Sequence, residues 1–215
     1  MTSDDDARKD ALLRAILPAV PFDGWSRRAM RDAARHAGLD PVELDTLFPG
    51  GPRDVVAWFS RWADRETLAA LKAQRPQKRR TSERVALGVK TRLGILTPYR
   101  EAVRRGLSLL ALPQNLPLGA KLLYEAVDTI WHGAGDASTD FNFYTKRGLL
   151  AGVYTATLLY WLDDRSENAA ASEAFLARRL ADVLALPRLK DAAARLASPL
   201  RILRGLRLSG AGSAS

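Results

Sequence analysis

The residues that could carry out chemistry in this 215-residue chain are few. The sequence has no cysteine, and His36 and His132 are its only histidines, so thiolate chemistry is excluded and a histidine-rich metal site is not expected. Asp163 and Asp164 form an acidic pair, but their position after an apolar stretch predicts a helix exit rather than a general acid and base. The sequence contains no phosphate-binding glycine loop and no plausible Ser/His/Asp set. We therefore predict no catalytic residue, no metal and no cofactor.

A polar and aromatic stretch, GDASTDFNFYTKR at 135–147, offers recognition chemistry instead. Asp140 is predicted to cap the helix that follows, because a carboxylate accepts hydrogen bonds from the free N–H groups of the first turn. The neighbouring aromatic residues Phe143 and Tyr144 allow two interpretations. They either pack back as a staple at the helix start or form an exposed recognition patch.

Residues 148–162 carry no charge and are predicted to form most of one helix. Fifteen residues span about 22 Å as a helix, and a bilayer requires roughly 20 apolar residues, so a membrane span is not predicted. A helix that is apolar all round is expected to be buried on all sides. It is either a central core helix or the wall of an apolar cavity. The face that would line such a cavity, which the family resemblance given below makes the lipid-binding face, consists of Leu150, Val153, Tyr154, Thr157, Leu158 and Trp161.

The elements that must position these residues are helices throughout the chain. Apolar residues recur every three to four positions, and Gly and Pro clusters punctuate the pattern, which predicts an all-α fold. The predicted helices are 8–19, 25–37, 41–48, 53–73, 81–93, 98–111, 116–133, 142–163, 171–185 and 189–208.

Residues 25–62 follow the pattern of a helix-turn-helix domain and resemble the N-terminal domain of TetR-type repressors. Gly38 is predicted to end the first helix in a left-handed conformation, and Asp40 to cap the second. The second helix is acidic, with Asp40, Glu43 and Asp45 and no basic residue, so it would be repelled by phosphates. DNA binding is therefore disfavoured, although arginines on the preceding helix could still touch a backbone. A ligand-responsive TetR-type DNA-binding transcriptional regulator remains the alternative function.

The net charge of +9 lies largely in residues 75–105, where ten basic residues face two glutamates. Such a segment could bind nucleic acid, an anionic bilayer or an acidic protein. It could equally be a solvated loop and helix face, and its role stays open.

Residues 187–208 have the pattern of a basic amphipathic helix, which lies in a bilayer interface rather than spanning it. Pro187 and Pro199 are predicted to divide the segment, with Ser198 as the cap of its second piece. An ordinary docked terminal helix is the other interpretation. The predicted membrane contacts are Leu200, Ile202, Leu203, Leu206, Arg201 and Arg204.

The stretch TIWHGAGDASTDFNFYTKRGLLAGVYTATLLYWLDDRSE, residues 129–167, closely resembles the C-terminal signature of the Coq-nine type of ubiquinone-biosynthesis accessory proteins. The family pattern includes Ala-Gly-Asp-x-Ser-Thr-Asp-Phe-Asn-Trp-Tyr-Thr, then two basic residues, a small-residue apolar helix and Asp-x-Ser. One departure is Phe143, which stands where the family usually has Trp and which lacks an N–H donor.

The resemblance implies a TetR-like, all-helical homodimer that binds an isoprenoid quinone precursor and presents it to a membrane-associated demethoxyubiquinone hydroxylase. It implies a protein that is not an enzyme and that contacts an anionic membrane surface. The partner surface that it implies consists of Ile130, Asp140, Phe143, Tyr144 and Arg147.

Four regions follow from these patterns. They are a degenerate helix-turn-helix domain (1–62), a helical ligand-binding and dimerisation domain (63–186), an amphipathic membrane-contacting helix (187–208) and a flexible tail (209–215). The acidic start MTSDDDARKD is not typical of a signal or transit peptide. The expected location is therefore the cytoplasm of a bacterium, peripheral on the inner membrane.

Overall fold

The computed structural model describes residues 3–36, 38, 40–74, 80–135 and 141–197. Residues 3, 41, 141–144 and 184–197 are described by their backbone alone. Every regular element in these residues is helical, which confirms the predicted all-α class. The α-helices are α1 (Ser3–Ile16), α2 (Val20–Asp23), α3 (Arg27–His36), α4 (Pro41–Leu47), α5 (Pro52–Gln74), α6 (Thr81–Leu96), α7 (Arg100–Leu110), α8 (Leu116–Gly133), α9 (Phe141–Asp163) and α10 (Ala170–Ala197).

The predicted helix bounds differ from the structure at both ends of the chain. α1 begins five residues earlier than predicted, where Asp4, Asp5 and Asp6 lie in its first turn and favour the positive end of the helix dipole. The predicted break at Pro187 is wrong, because α10 continues through this residue. A proline removes one backbone hydrogen bond, but the surrounding alanine, leucine, arginine and lysine residues are strong helix formers.

The chain divides into two compact units, residues 1–176 and 177–215. In the second unit the described residues form the last part of α10, where Arg179 pairs with Asp182 at 2.9 Å. The predicted boundary between residues 62 and 63 falls in the middle of α5, one continuous helix of 23 residues.

Helices α1, α3 and α4 form the start of the first unit around a small apolar core. α3 packs closely against its neighbours through buried Ala33 and Ala34. Gly38 has a φ of +71°, and the Asp40 carboxylate accepts a hydrogen bond from the Val42 N–H at 2.8 Å. The predicted turn and cap of the helix-turn-helix are therefore confirmed.

Helix α5 is the centre of the first unit and packs against both α6 and α8. An aromatic cluster on its N-terminal half connects it to the start of the chain. Phe59 lies 5.8 Å from Trp25 and 5.9 Å from Tyr99, measured between ring centroids. Trp25 in turn donates a hydrogen bond to the carbonyl of Ala102 on α7. This cluster fixes the helix-turn-helix domain against the helices that form the site described below.

Helix α9 is buried on one face only, contrary to the expectation that it is buried on all sides. Leu159 is 54% exposed and Tyr160 is 41% exposed, and Leu149 is also exposed. The prediction was wrong because an apolar residue pattern shows that a helix face is apolar. It does not show whether another helix of the same chain packs against that face. Among the described residues, no helix combines the length and the apolar character needed to cross a bilayer.

Candidate functional site

An apolar cavity of about 260 Å³ lies among helices α5 to α9 and is partly open to the surface, where the 54% exposed Leu159 forms part of its wall. Its apolar side chains include Leu96, Val103, Leu107, Leu110, Leu122 and Leu158. The space exists because several positions that face it carry a hydrogen or a methyl group in place of a larger side chain. These positions are Ala102, Gly106, Gly119 and Ala126. A dry cavity of about 150 Å³ accepts a benzene ring, so this one has room for a substituted ring or a short hydrocarbon segment.

The predicted lipid-binding face of α9 only partly coincides with this cavity. Tyr154 and Leu158 line it. The other four residues of the predicted face are buried but do not line it; these are Leu150, Val153, Thr157 and Trp161. Trp161 instead borders a separate cavity, where the Arg100 guanidinium lies 4.5 Å from its ring centroid. Thr155 and Leu159 also line the cavity, although they lie outside the predicted face, so helical periodicity identified the buried face but not the side of the helix that faces empty space.

A buried polar cluster forms one part of the cavity wall. Arg92 on α6 is 4% exposed and pairs with Asp64 on α5, with Nη2 to Oδ1 at 2.9 Å and Nε to Oδ1 at 3.0 Å. Its Nη1 donates a hydrogen bond of 2.7 Å to the Tyr154 hydroxyl, and its Nη2 donates to Ser60 Oγ at 3.1 Å. Ser60, Arg92 and Tyr154 all line the cavity. The cavity therefore has a hydrocarbon wall with one polar region.

The protonation of this cluster follows from its burial. The Tyr154 phenol is protonated at neutral pH by its ordinary pKa, and burial raises that pKa further. Burial also raises the pKa of the Asp64 carboxyl, and the adjacent Arg92 guanidinium opposes this increase. At 2.9 Å the carboxylate and the guanidinium form an ion pair whose charges balance.

Arg92 is a buried cavity-lining residue that sequence reasoning missed. It lies in the basic segment 75–105, for which a solvated face was one interpretation. The described basic residues nearest to it in that segment are exposed or half-buried. Arg104 pairs with Asp163 at 2.7 Å, and Arg105 pairs with Glu101 at 2.9 Å. No local pattern distinguishes a buried arginine from exposed arginines in the same basic segment. The one available indication is that Arg92 shares a helix face with the apolar residues Val89 and Leu93.

The described part of the predicted partner surface is mostly interior. Ile130 is fully buried, and Arg147 is 5% exposed and pairs with Asp128 on α8 at 2.7 Å. A partner could not reach either side chain without a rearrangement. Asp140 lies outside the described residues, and Phe143 and Tyr144 lie in the first turn of α9, where only the backbone is described. Arg147 thus holds α9 against α8 instead of lying on the surface.

The Asp-x-Ser end of the signature organises the connection between α9 and α10. Asp164 accepts hydrogen bonds from the N–H and hydroxyl of Ser166 at 2.8 and 2.6 Å. It also accepts them from the N–H and hydroxyl of Ser172 at 2.8 and 2.5 Å. The bonds from Ser166 and Ser172 hold the pKa of Asp164 well below its usual range. Its role is structural, in agreement with the prediction that this acidic pair marks a helix exit.

The remaining predicted features lie either at the surface or in residues that the structure does not describe. On the acidic helix α4, Asp45 and Glu43 pair with Arg27 and Arg8 at 3.2 and 3.4 Å. No group of three potential metal-ligating side chains occurs in the part of the chain that the structure describes. The predicted membrane contacts Leu200, Arg201, Ile202, Leu203, Arg204 and Leu206 lie outside the described residues.

These features define a class of protein: an all-α, TetR-like chain with an acidic second helix in its helix-turn-helix and an apolar cavity in its helical bundle. The structure of a TetR transcriptional regulator from Nitrosomonas europaea supports the fold, with a TM-score of 0.67 over 81% of this chain and 97% of that chain. At 18% identity, this likeness shows the fold alone.

Sequence comparison identifies the family. The COQ9 family model matches residues 116–187. The mitochondrial ubiquinone biosynthesis protein COQ9 of Rattus norvegicus is 35% identical over 179 residues, which are 80% of this chain and 57% of that protein. The Homo sapiens protein of the same name is also 35% identical, over 80% of this chain and 56% of its own length. The Coq-nine resemblance found in the sequence is therefore confirmed. The chain spans little more than half the length of these relatives.

Proposed function

We propose that this protein is a lipid-binding accessory protein of ubiquinone biosynthesis. It binds an isoprenoid quinone precursor and presents it to a membrane-associated demethoxyubiquinone hydroxylase, and it does not itself catalyse a reaction. The observation that carries this proposal is the apolar cavity inside α5 to α9. The role in ubiquinone biosynthesis is supported by the COQ9 relatives, which are named ubiquinone biosynthesis proteins.

The size of the cavity sets how much of the lipid the protein takes up. At about 260 Å³ it holds a ring or a short chain segment rather than a whole isoprenoid tail. The remaining tail would stay in the bilayer. Each CH₂ group gains roughly 0.8 kcal/mol in either apolar environment, so the lipid can exchange between protein and membrane at little net cost.

The proposal places the protein on an anionic membrane surface through residues 187–208. It also places the hydroxylase at the signature segment, where Phe143 and Tyr144 lie in the first turn of α9. Co-purification of a demethoxyubiquinone hydroxylase with the wild type, and its loss with Phe143→Ala and Tyr144→Ala together, tests the second contact. Retention of the hydroxylase by that double variant would remove the segment from the proposed interface.

A homodimer is part of the proposal, formed through the exposed face of α9. This face carries Leu149, Leu159 and Tyr160, and Leu159 also lines the cavity. A Cβ atom added at Gly148 or Gly152 would meet nothing within 4 Å, so a second helix can approach closely. Sedimentation of the wild type against Gly152→Arg tests the dimer, and a wild type that sediments as a monomer would contradict it.

The central experiment fills the cavity and measures the lipid. Protein from a bacterial host is expected to co-purify with lipid that mass spectrometry detects. Leu158→Trp places a larger side chain at a cavity-lining position on α9 and is expected to remove most of that lipid. Leu116→Trp is the matched control, because Leu116 is 55% exposed and lies outside the cavity wall. Repeatedly empty wild-type protein, or equal lipid in Leu158→Trp, would refute the proposal.

The alternative is a ligand-responsive TetR-type transcriptional regulator, which the fold supports. The exposed face of α4 argues against it, because Asp40 and Asp45 are exposed and would face phosphates. Arg28, Arg31 and Arg35 on α3 offer a basic surface for a DNA backbone. Weak duplex binding that falls steeply with salt and ignores sequence agrees with the accessory role. A sequence-selective footprint would favour the regulator.

A further inference from the structure

The cavity contains a charged residue whose charge is already balanced, and this restricts what can bind beside it. Arg92 is held by Asp64 at 2.9 Å, and both residues are almost fully buried. An anionic head group at this position would bring a second negative charge close to Asp64 in a low-dielectric interior, which is unfavourable. A neutral head group would not meet this repulsion. The polar part of the wall therefore favours neutral oxygen atoms over carboxylates and phosphates.

The hydroxyl group of Tyr154 supplies the hydrogen-bond donor. It accepts a hydrogen bond from Arg92 Nη1 at 2.7 Å, and among the described residues no acceptor is recorded for its own proton. This hydroxyl is protonated at neutral pH, as a phenol is by its ordinary pKa, and burial raises the pKa further. A hydroxyl that accepts a hydrogen bond from a guanidinium becomes a stronger donor, because bonds in a chain polarise one another.

The dimensions of the cavity indicate which end of an amphiphile enters. The volume of about 260 Å³ suits one substituted ring and is too small for a long tail. A ring that carries an oxygen would leave the buried donor paired, whereas a plain hydrocarbon would leave it unpaired. Entry of the head group is therefore favoured over entry of the far end of the tail.

We propose that the cavity admits the ring of a neutral, carbonyl-bearing amphiphile head first, and that the Tyr154 hydroxyl donates its proton in a hydrogen bond to that carbonyl oxygen. The hydrocarbon tail extends out of the bundle. This inference rests on the proposed lipid-binding function and names the chemistry of the group that the cavity recognises.

The experiment compares three probes of similar length: hexyl-1,4-benzoquinone, hexylbenzene and 4-hexylbenzoate. The chain has no cysteine, so no thiol is present to add to the quinone. Wild-type protein is expected to bind the quinone about tenfold more tightly than the benzoate. Tyr154→Phe is expected to weaken quinone binding about three- to tenfold, the loss typical of one hydrogen bond, and to leave hexylbenzene binding unchanged.

Tyr160→Phe is the matched control, because Tyr160 lies on the same helix but is 41% exposed and stacks on Phe175 outside the cavity wall. It should leave all three affinities unchanged. Asp64→Asn is expected to strengthen the binding of the anionic probe, whereas Tyr154→Phe weakens the binding of the quinone. Since Asp64→Asn leaves the charge of Arg92 unbalanced, it should raise benzoate affinity several-fold even if the protein is less stable.

The outcomes separate this inference from the function on which it rests. Equal loss of quinone and hexylbenzene in Tyr154→Phe would show a packing effect and overturn the hydrogen bond. Benzoate binding as tight as quinone binding would overturn the preference for a neutral head group. In both cases the cavity would still bind hydrocarbon. Failure of all three probes to bind the wild type would instead refute the proposed lipid site, and this inference with it.

Discussion

At the scale of single residues, Asp164 shows how one carboxylate can determine a chain turn. It accepts four hydrogen bonds from Ser166 and Ser172 in the connection before α10. The same connection contains Asn168 and Ala169 with φ of +52° and +56°, a conformation that costs a residue with a Cβ roughly 1–2 kcal/mol. The hydrogen bonds to Asp164 offset this strain. The Asp-x-Ser end of the signature is thus explained by structure and requires no ligand.

Asp164→Asn is expected to lower the free energy of unfolding by about 2 kcal/mol, because a neutral amide is a weaker acceptor and turns an N–H group toward other donors. Asp163→Asn is the matched control. Its side chain is 78% exposed and pairs with the surface residue Arg104, so the loss should be below about 1 kcal/mol. Urea denaturation of both variants at neutral pH makes the comparison, and equal losses would contradict the assigned role.

The same residue predicts a pH dependence. The folded-state pKa of Asp164 lies below its ordinary value, so its contribution to stability is complete above about pH 4 and declines as the pH falls toward the folded-state pKa. The difference in unfolding free energy between wild type and Asp164→Asn should therefore narrow below about pH 4. Urea titrations at pH 6, 4 and 3 measure it. A difference that stays constant over this range would show that Asp164 is not held ionised.

At the scale of elements, the contact between α6 and α8 depends on a glycine. A Cβ atom on Gly88 would lie 2.8 Å from Cγ2 of Ile130, which is fully buried and stiff because it is β-branched. This close approach also holds the two helices in the positions from which Arg92 and Leu122 reach the cavity. A larger residue at position 88 would therefore disturb both the packing and the site.

Gly88→Ala is expected to cost about 1–3 kcal/mol of stability through overpacking, despite the better helix propensity of alanine. Gly94→Ala is a control on the same helix, because a Cβ there meets nothing within 4 Å. That variant should be neutral or up to about 1 kcal/mol more stable. Thermal unfolding of both variants and the wild type compares their stabilities. A Gly88→Ala variant more stable than the wild type would show that α6 and α8 can move apart to accommodate the added methyl group.

The sequence predicts a structural feature only where a local residue pattern marks that feature. The helix-turn-helix was predictable because Gly38 and Asp40 mark its turn with distinct backbone chemistry. The cavity was not, because empty space results from small residues on facing helices, such as Gly106 and Ala126, whose pairing no local pattern shows. Arg92 was missed for the related reason that its partner Asp64 is distant in sequence. The predicted break at Pro187 was wrong because the loss of one hydrogen bond does not end a helix whose other residues are strong helix formers.

At the scale of the whole molecule, the excess positive charge is consistent with a protein that works at an anionic surface. Of the basic residues in segment 75–105, several are already paired, including Lys90 with Glu173 and Arg104 with Asp163. Their charge is locally balanced and contributes little to attraction over distance. Residues 187–208, with six basic residues and one aspartate, then become the main candidate for membrane contact.

The membrane assignment predicts binding to vesicles of phosphatidylcholine mixed with phosphatidylserine, weakened by added salt because each arginine contributes about 1 kcal/mol through the surface potential. Leu203→Asp with Leu206→Asp replaces two leucines of the predicted apolar face, so vesicle affinity should fall at least tenfold. Ser213→Asp with Ser215→Asp adds the same charge in the predicted tail and should lower affinity only slightly. Sedimentation with vesicles measures all three proteins. If the leucine double variant binds as tightly as the wild type, these residues do not enter the bilayer, and a lipid would have to reach the cavity by another route.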